Sequence, residues 1–265
     1  PRMWGDRFRE YTLGALETGI AVADFDRDGM LDIYAVSKNG PNALYQQTVA
    51  GRFHDIAAVC GVDVADDPAG QTGATAVDIN QDGWPDLYLC RLDAPNLLFV
   101  NNGDGTFTDV IHEVLPVIPY SAMGADFGDV NNDGKIDLFV ADMAATTHEK
   151  DQRGMASSRA LSRDDADSAV LAPQTLRNTL FINRWPAGMQ EAGWMAGIGA
   201  TDWTWSVRFE DYDNDGRLDL HVTNGMNREY QNSDLRERII LAESPAAHAD
   251  HASESHAGGS ESGLP

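Results

Sequence analysis

The stretch Asp211-Tyr212-Asp213-Asn214-Asp215-Gly216-Arg217-Leu218-Asp219-Leu220 decides the interpretation of the whole sequence. It has aspartates at its first, third, fifth and ninth positions and a glycine at its sixth. Alternating carboxylates followed by a glycine turn are typical of loops that bind a hard cation through oxygen atoms. An apolar run follows the loop, as expected for a β-strand. The stretch therefore predicts a cation-binding loop that leads into a strand.

The same ten-residue pattern, D-x-[DN]-x-D-G-x-x-D-[LI], occurs four times in the chain. The other copies begin at Asp24, Asp78 and Asp129, and we number the loops one to four in chain order. Their first aspartates lie 54, 51 and 82 residues apart, so a period of about fifty residues is lengthened once. A repeat of this length is typical of the four-stranded blade of a β-propeller.

Strand-like segments occur in the same order around each loop. In the first period, residues 19–23 precede the loop and residues 31–36 follow it, and further strands are predicted at 43–47 and 52–57. Gly, Pro and Asn residues separate these segments, as in turns. The predicted fold class is all-β: a partial β-propeller with about four blades of four strands each.

The third and fourth periods depart from this plan. Residues 144–172 are rich in Ala, Ser, Arg and Asp and have weak periodicity, which predicts a helical or irregular insertion in the third blade. The fourth period has only its first two strands. The predicted organisation is a propeller segment over residues 1–230, a short helix over 231–243 and a disordered, low-complexity tail over 244–265.

The N-terminal sequence leaves two modes of ring closure open. Residues 5–11 resemble the turn and fourth strand of a blade. Either this strand completes the last blade and closes a ring of four, or the chain supplies about half of a larger propeller. We favour the second. The chain opens in Pro-Arg-Met-Trp with no initiator Met, so we also expect the rest of a longer polypeptide.

Each loop offers the oxygen atoms that Ca²⁺ needs. Calcium takes six to eight oxygen ligands, and side chains at positions 1, 3, 5 and 9 with the backbone carbonyl of position 7 supply most of them. We expect about four structural Ca²⁺ sites, one for each loop. The predicted metal-binding residues are Asp24, Asp26, Asp28, Met30 and Asp32; Asp78, Asn80, Asp82, Trp84 and Asp86; Asp129, Asn131, Asp133, Lys135 and Asp137; and Asp211, Asp213, Asp215, Arg217 and Asp219.

Other metal sites fit the loops less well. An EF-hand needs a bidentate Glu at position 12 between two helices, whereas position 12 is Ala35, Leu89, Val140 or Val222 in a predicted strand. Zinc is disfavoured by the absence of His and Cys from the loops, and magnesium because it rarely uses an all-protein cage. The alternative is an ion-free Asp-rich turn. Four copies in the same phase, each gathering carboxylates that repel one another, favour calcium.

The charge balance limits the classes of partner. The chain has 42 acidic and 19 basic residues, a formal net charge of −23, and 14 of the acids lie in the four loops. Nucleic acid is disfavoured because phosphate binding needs clustered Lys and Arg, and membrane insertion because the apolar runs have only strand length. Cys60 and Cys90 leave open a disulfide or two buried thiols.

Three further stretches carry a resemblance to a known family: Met123-Gly124-Ala125-Asp126-Phe127-Gly128-Asp129, residues 200–205 and residues 222–225. With the loops, they resemble the FG-GAP/VCBS repeats of integrin α-chains, and more narrowly the repeat region of secreted, cartilage-acidic-protein-like proteins that carry an ASPIC/UnbV domain. The resemblance covers roughly residues 5–230. It implies a seven- or eight-bladed propeller that is extracellular, periplasmic or at the cell surface, with recognition or adhesion of a protein or carbohydrate ligand as its role.

No sequence motif indicates an enzyme. His112-Glu113 and His148-Glu149 lack the second His of H-E-x-x-H, and no G-x-S-x-G occurs. We therefore predict a non-enzymatic protein, with a propeller-based polysaccharide hydrolase or lyase as the alternative. Trp203 and Trp205 lie on one face of a predicted strand, where they either enter the core or stack on a sugar or protein partner.

Overall fold

Antiparallel β-sheets make up most of the regular structure. The computed structural model describes residues 19–37, 40–64, 70–92, 94–150 and 173–225. The first sheet, blade one, has the strand order β1-β2-β3-β4, and blade two has the order β5-β6-β7-β8. Their strands are β1 Ile20–Ala23, β2 Asp32–Ala35, β3 Ala43–Val49 and β4 Arg52–Asp55, then β5 Gly70–Val77, β6 Asp86–Leu92, β7 Leu97–Asn101 and β8 Phe107–Asp109.

Blades three and four belong to one six-stranded sheet, in which a strand of each blade pairs with the other. Blade three contains β10, β11, β13 and β14, and blade four contains β15 and β16. The end of β11 pairs with the start of β15, with Met143 opposite Trp203. A short parallel pair, β9 with β12, lies beside blade three. The strands are β9 Ile118–Pro119, β10 Ala122–Gly128, β11 Asp137–Ala144, β12 Gln174–Thr175, β13 Thr179–Asn183, β14 Met189–Glu191, β15 Asp202–Glu210 and β16 Asp219–Asn224.

The buried core lies between successive blades, because strand side chains alternate between the two faces of each sheet. Tyr34 and Leu44 of blade one pack with Leu87 of blade two. Tyr88 of blade two belongs to the next cluster, with residues of blade three, and Phe139 of blade three packs towards blade four. Sheets stacked face to face in chain order confirm the predicted all-β, partial propeller.

Two short helices follow the fourth strands of blades one and two: α1 Ala57–Cys60 and α2 Ile111–Val114. The predicted strand over residues 52–57 is therefore wrong at its end. Oδ1 of Asp55 accepts the N–H groups of Leu44 and Ala57, at 3.2 and 3.1 Å, so one carboxylate ends the strand pairing and begins the helix. Asp109 has the same role before α2.

Several predictions fall partly or wholly outside the described residues. The insertion was predicted from residue 144, but Ala144 is the last residue of β11, and residues 151–172 are not described. The segments 5–11, 231–243 and 244–265 also lie outside, so the domain boundaries stay predictions. Cys60 and Cys90 are free, buried thiols in different interblade clusters, so they form no disulfide. Within the described ranges, no helix has the length and apolarity needed to cross a bilayer.

Candidate metal centres

All four loops have the same backbone conformation. The residue at position 4 and the glycine at position 6 both have positive φ. Gly adopts this conformation without steric cost, whereas a residue with a Cβ pays for it. The position-4 residues are Arg27, Gln81, Asn132 and Asn214, with φ of 59°, 62°, 56° and 60°, and the glycines are Gly29, Gly83, Gly134 and Gly216, with φ of 88°, 93°, 83° and 83°.

Backbone N–H groups inside each loop hold the carboxylates in place. In loop one, Asp24 accepts the N–H groups of Asp28 and Gly29, at 3.0 and 2.9 Å. Asp26 also accepts the N–H of Asp28, at 3.1 Å. The side chains of positions 1 and 3 make the same bonds in the other loops, from Asp78 and Asn80, Asp129 and Asn131, and Asp211 and Asp213.

The loops differ in how many carboxylates they bring together. In loops one and four, single oxygens of the aspartates at positions 1, 3 and 5 lie within 4.8 Å of one another. In loops two and three, position 3 is Asn, and its Nδ2 donates to the position-5 aspartate: Asn80 to Asp82 at 2.8 Å and Asn131 to Asp133 at 3.1 Å. Loops one and four therefore have the stronger mutual repulsion, which a cation would relieve.

The position-9 aspartate supports the loop from inside the blade. In loop two, Asp86 is buried, and its two oxygens accept the N–H groups of Ile79 and Asn101, both at 2.9 Å. Burial raises the pKa of the Asp86 carboxyl to about 6, against the lowering effect of these N–H donors. Burial likewise raises the pKa of Asp32 and of Asp137. The position-9 carboxylate lies outside the clusters of three, and its predicted role as a ligand stays a prediction.

Loop four differs at this position. Asp219 is exposed and accepts the N–H of Tyr212 at 3.1 Å. In loops one to three, the second oxygen accepts an N–H from the third strand of the blade, donated by Gln47, Asn101 or Asn183. Blade four has no third strand within residues 202–225. Its cluster of Asp211, Asp213 and Asp215 is nevertheless formed, because the bonds that shape it are local.

The position-7 residues are placed by their N–H groups. Those of Met30, Trp84, Lys135 and Arg217 donate to the aspartate at position 5, at 2.8, 2.9, 3.0 and 2.9 Å. Coordination through their carbonyl oxygens stays a prediction. The side chains project elsewhere: Trp84 lies under the Arg27 guanidinium at 5.2 Å, and Lys135 Nζ donates to the carbonyl of Trp185 at 3.0 Å.

Two asparagines that the sequence analysis missed connect the loops of neighbouring blades. Asn101, at the end of β7, donates to the carbonyl of Phe25 in loop one at 2.9 Å. Asn183, at the end of β13, donates to the carbonyl of Ile79 in loop two at 2.8 Å. The signal was present, since both residues end a third strand in the similar runs Leu-Leu-Phe-Val-Asn and Thr-Leu-Phe-Ile-Asn.

The donor set of the loops fits a calcium ion. Every candidate side-chain ligand offers oxygen, and the loops contain no His or Cys. In every loop, the first aspartate follows the first strand of the blade and the ninth begins the second strand. A cation bound here would therefore link these two strands.

An open cleft of about 350 Å³ lies between the first strands of the four blades. Its lining includes one carboxylate, Asp126, which accepts the N–H of Phe209 at 2.7 Å and lies 3.9 Å from the Arg208 guanidinium. Trp203 and Trp205 are half-buried outside the three core clusters, and Trp205 Nε1 donates to the carbonyl of Gly225 at 2.7 Å. Their function as a stacking surface stays a hypothesis.

Comparison with known proteins agrees with the repeat pattern. The family described as FG-GAP-like repeat matches residues 24–89 and 78–140. Cartilage acidic protein 1 of Xenopus tropicalis is 28% identical over 212 residues, covering 78% of this chain and 28% of that protein. The mouse protein is 25% identical over 221 residues, covering 82% of this chain and 29% of its own length. The chain thus spans less than a third of these relatives.

Among solved structures, a chain from a study of specific recognition of non-reducing terminal N-acetylglucosamine by an Agrocybe aegerita lectin is similar at 15% identity. The match covers 78% of this chain and 46% of that chain, with a TM-score of 0.41. The family match and the relatives confirm the resemblance that the sequence indicated. Residues 24–140 match the family described as FG-GAP-like repeat, and the chain is similar to cartilage acidic protein 1 over most of its own length.

Proposed function

We propose that this chain is a calcium-binding β-propeller segment of a secreted or cell-surface protein, in which the ions are structural and the propeller acts in recognition or adhesion. One observation carries the calcium part: three carboxylates meet within 4.8 Å in loops one and four, held by the same local hydrogen bonds in both. Such a cluster is costly without a counter-charge and favourable around a divalent cation.

The ions would act as fasteners between strands. Extracellular calcium modules bind with dissociation constants of about 0.1–1 mM. At about 1 mM free calcium, each occupied loop would therefore stabilise the fold by about 0.4–1.4 kcal/mol. This energy is too small to switch a conformation sharply, but it adds over four loops. Recognition would then use surfaces that the loops hold in register.

Recognition rather than catalysis suits the cleft between the blades. Hydrolysis of a glycosidic bond commonly needs two carboxyl groups, one as acid and one as base or nucleophile. Among the described residues, the lining of this cleft has one, Asp126, which is already bonded to a backbone N–H and lies near Arg208. A protein or carbohydrate ligand bound without turnover is therefore the proposed partner.

Calcium-dependent melting tests the proposal. We expect EDTA to lower the melting temperature of the full chain and added calcium to restore it. Asp213→Asn, in the cluster of loop four, should weaken calcium binding measured by calorimetry. Asp104→Asn is the matched control, because Asp104 is an exposed turn residue outside the loops that bonds Thr106. An EDTA-insensitive melt with no calcium in the purified protein would refute the calcium part.

Ligand binding tests the recognition part separately. The calcium-loaded chain would be applied to arrays of glycans and extracellular matrix proteins, with and without EDTA. We expect calcium-dependent binding and no release of reducing sugar or unsaturated product from polysaccharides. Turnover that disappears in Asp126→Asn but persists in Asp213→Asn would instead favour the enzyme alternative.

A further inference from the structure

A continuous chain of hydrogen bonds connects the position-9 aspartates of loops one, two and three. In loop one, Asp32 Oδ2 accepts the N–H of Phe25 at 3.1 Å. The carbonyl of Phe25 accepts a bond from Asn101 Nδ2 at 2.9 Å, and the N–H of Asn101 donates to Asp86 Oδ1 at 2.9 Å. Successive hydrogen bonds therefore join a carboxylate of loop one to the equivalent carboxylate of loop two. We call this series the interloop chain.

The interloop chain continues from loop two to loop three through the equivalent atoms. Asp86 Oδ2 accepts the N–H of Ile79 at 2.9 Å, and the carbonyl of Ile79 accepts a bond from Asn183 Nδ2 at 2.8 Å. The N–H of Asn183 donates to Asp137 Oδ1 at 2.8 Å. Asp32, Asp86 and Asp137 are all buried, and hydrogen bonds in series in such an interior strengthen one another by polarisation.

A second connection lies at the surface of the loops. Gln81, at position 4 of loop two, donates from its Nε2 to the carbonyl of Gly134 in loop three. The N–H of the same peptide group donates to Asp133 Oδ1 at 3.0 Å. A carbonyl that accepts a hydrogen bond makes the N–H of its peptide group a stronger donor, so Gln81 supports the carboxylate of Asp133. Arg27 has the equivalent place between loops one and two, with its guanidinium 5.2 Å from the centroid of the Trp84 ring.

Loop four lacks both connections in the part of the chain that the structure describes. It adjoins loop three, since Val130 and Leu218 pack against the same core cluster. The interloop chain ends at Val130, whose N–H donates to Asp137 at 3.1 Å. Blade four has no third strand within residues 202–225, and no side chain of that range donates to the Val130 carbonyl. Asn132, the position-4 residue of loop three, makes no side-chain bond to this range either.

We infer that calcium binding is cooperative among loops one, two and three and that loop four binds its ion independently. The inference rests on the proposed calcium-binding function and adds the regulation of these sites. An ion that fixes the backbone and the position-9 aspartate of one loop also fixes the asparagine bonded to them, and with it a carbonyl of the neighbouring loop. The neighbouring loop then loses less conformational freedom when its own ion binds.

Terbium luminescence excited through tryptophan would measure this coupling. Tb³⁺ is a hard cation that takes oxygen ligands as Ca²⁺ does, and it emits when a nearby indole transfers energy to it. Trp84, at position 7 of loop two, reports on that loop. Lys135→Trp combined with Trp84→Phe moves the reporter to the same position of loop three. Trp84→Phe by itself gives the background from the other tryptophans.

Equivalent substitutions in two adjacent loop pairs separate coupling from simple charge effects. Asp133→Asn in loop three and Asp215→Asn in loop four each remove one exposed carboxylate at position 5 of the next loop along. Asp133→Asn should raise the terbium dissociation constant of loop two about fivefold or more. Asp215→Asn should change that of loop three by about twofold or less, because salt of about 0.15 M screens the lost charge.

Equal changes in the two pairs would overturn the inference, because a purely electrostatic effect acts alike in both. Asn183→Ala with Gln81→Ala removes both connections between loops two and three. In that background, the effect of Asp133→Asn on loop two should fall to about the twofold of the control, and an undiminished effect would also count against the inference. A chain in which no reporter gives a signal above background would instead overturn the proposed calcium binding itself, so the two failures are distinguishable.

Discussion

Asn183→Ala should destabilise the joint between blades two and three. Asn183 is 1% exposed, and its Nδ2 donates to the carbonyls of Ile79 and Ile136 at 2.8 and 3.0 Å. Its Oδ1 accepts the N–H of Trp185 at 2.8 Å. Ile79 belongs to loop two and Ile136 to loop three, so one side chain links two candidate calcium loops.

The expected loss of stability follows from the polar groups that are left without a hydrogen-bond partner. A buried donor or acceptor that loses its hydrogen bond costs about 1–3 kcal/mol. Truncation at Asn183 removes the partner of two carbonyls and one N–H. Taking the lower end for each of the three groups, we expect a loss of about 3 kcal/mol in the free energy of unfolding.

Urea unfolding, followed by tryptophan fluorescence at fixed calcium, would measure the loss. Asn102→Ala is the matched control, because the side chain of Asn102 is exposed and bonds Thr106 in the same turn and Thr108 in β8. We expect the control to change the free energy of unfolding by no more than about 0.5 kcal/mol. If Asn183→Ala is no more destabilising than Asn102→Ala, the reasoning about interblade asparagines is wrong.

Two further predictions concern a buried acid and a tight turn. Burial raises the pKa of Asp142 to about 7 from its ordinary 3.8, so the folded state loses stability as pH rises through this window, by up to about 4 kcal/mol above pH 7. Urea unfolding at pH 8 should therefore show that Asp142→Asn is more stable than the wild type. Equal stability of the two proteins at pH 8 would contradict this prediction. Gly103→Ala should lower the melting temperature more than Gly105→Ala. Both glycines have positive φ, which costs a residue with a Cβ about 1 kcal/mol, but only at Gly103 would the added Cβ lie 2.9 Å from the Trp84 ring. Equal melting temperatures of the two variants would show that the Trp84 ring moves aside.

The blades could be predicted well from the sequence, but the ends of their strands could not. Strand order, blade period and loop positions were visible because each depends on residues close together in the chain. The end of β4 was missed, because Asp55 bonds both the adjacent helix and Leu44 in the neighbouring strand. The interblade role of Asn183 was missed for a similar reason, since its partner Ile79 lies 104 residues away.

The sequence by itself determined the loop. Bonds between residues two, four and five positions apart place the carboxylates of Asp211, Asp213 and Asp215 together, even in a blade that has only two described strands. Tertiary structure alone decided which residues around the loops are buried and which are exposed. It buried Asp86, which links loop two to β7, and it left Val22 on one face of blade one exposed. Both depend on which sheet packs against which, and local spacing in the chain does not specify that contact.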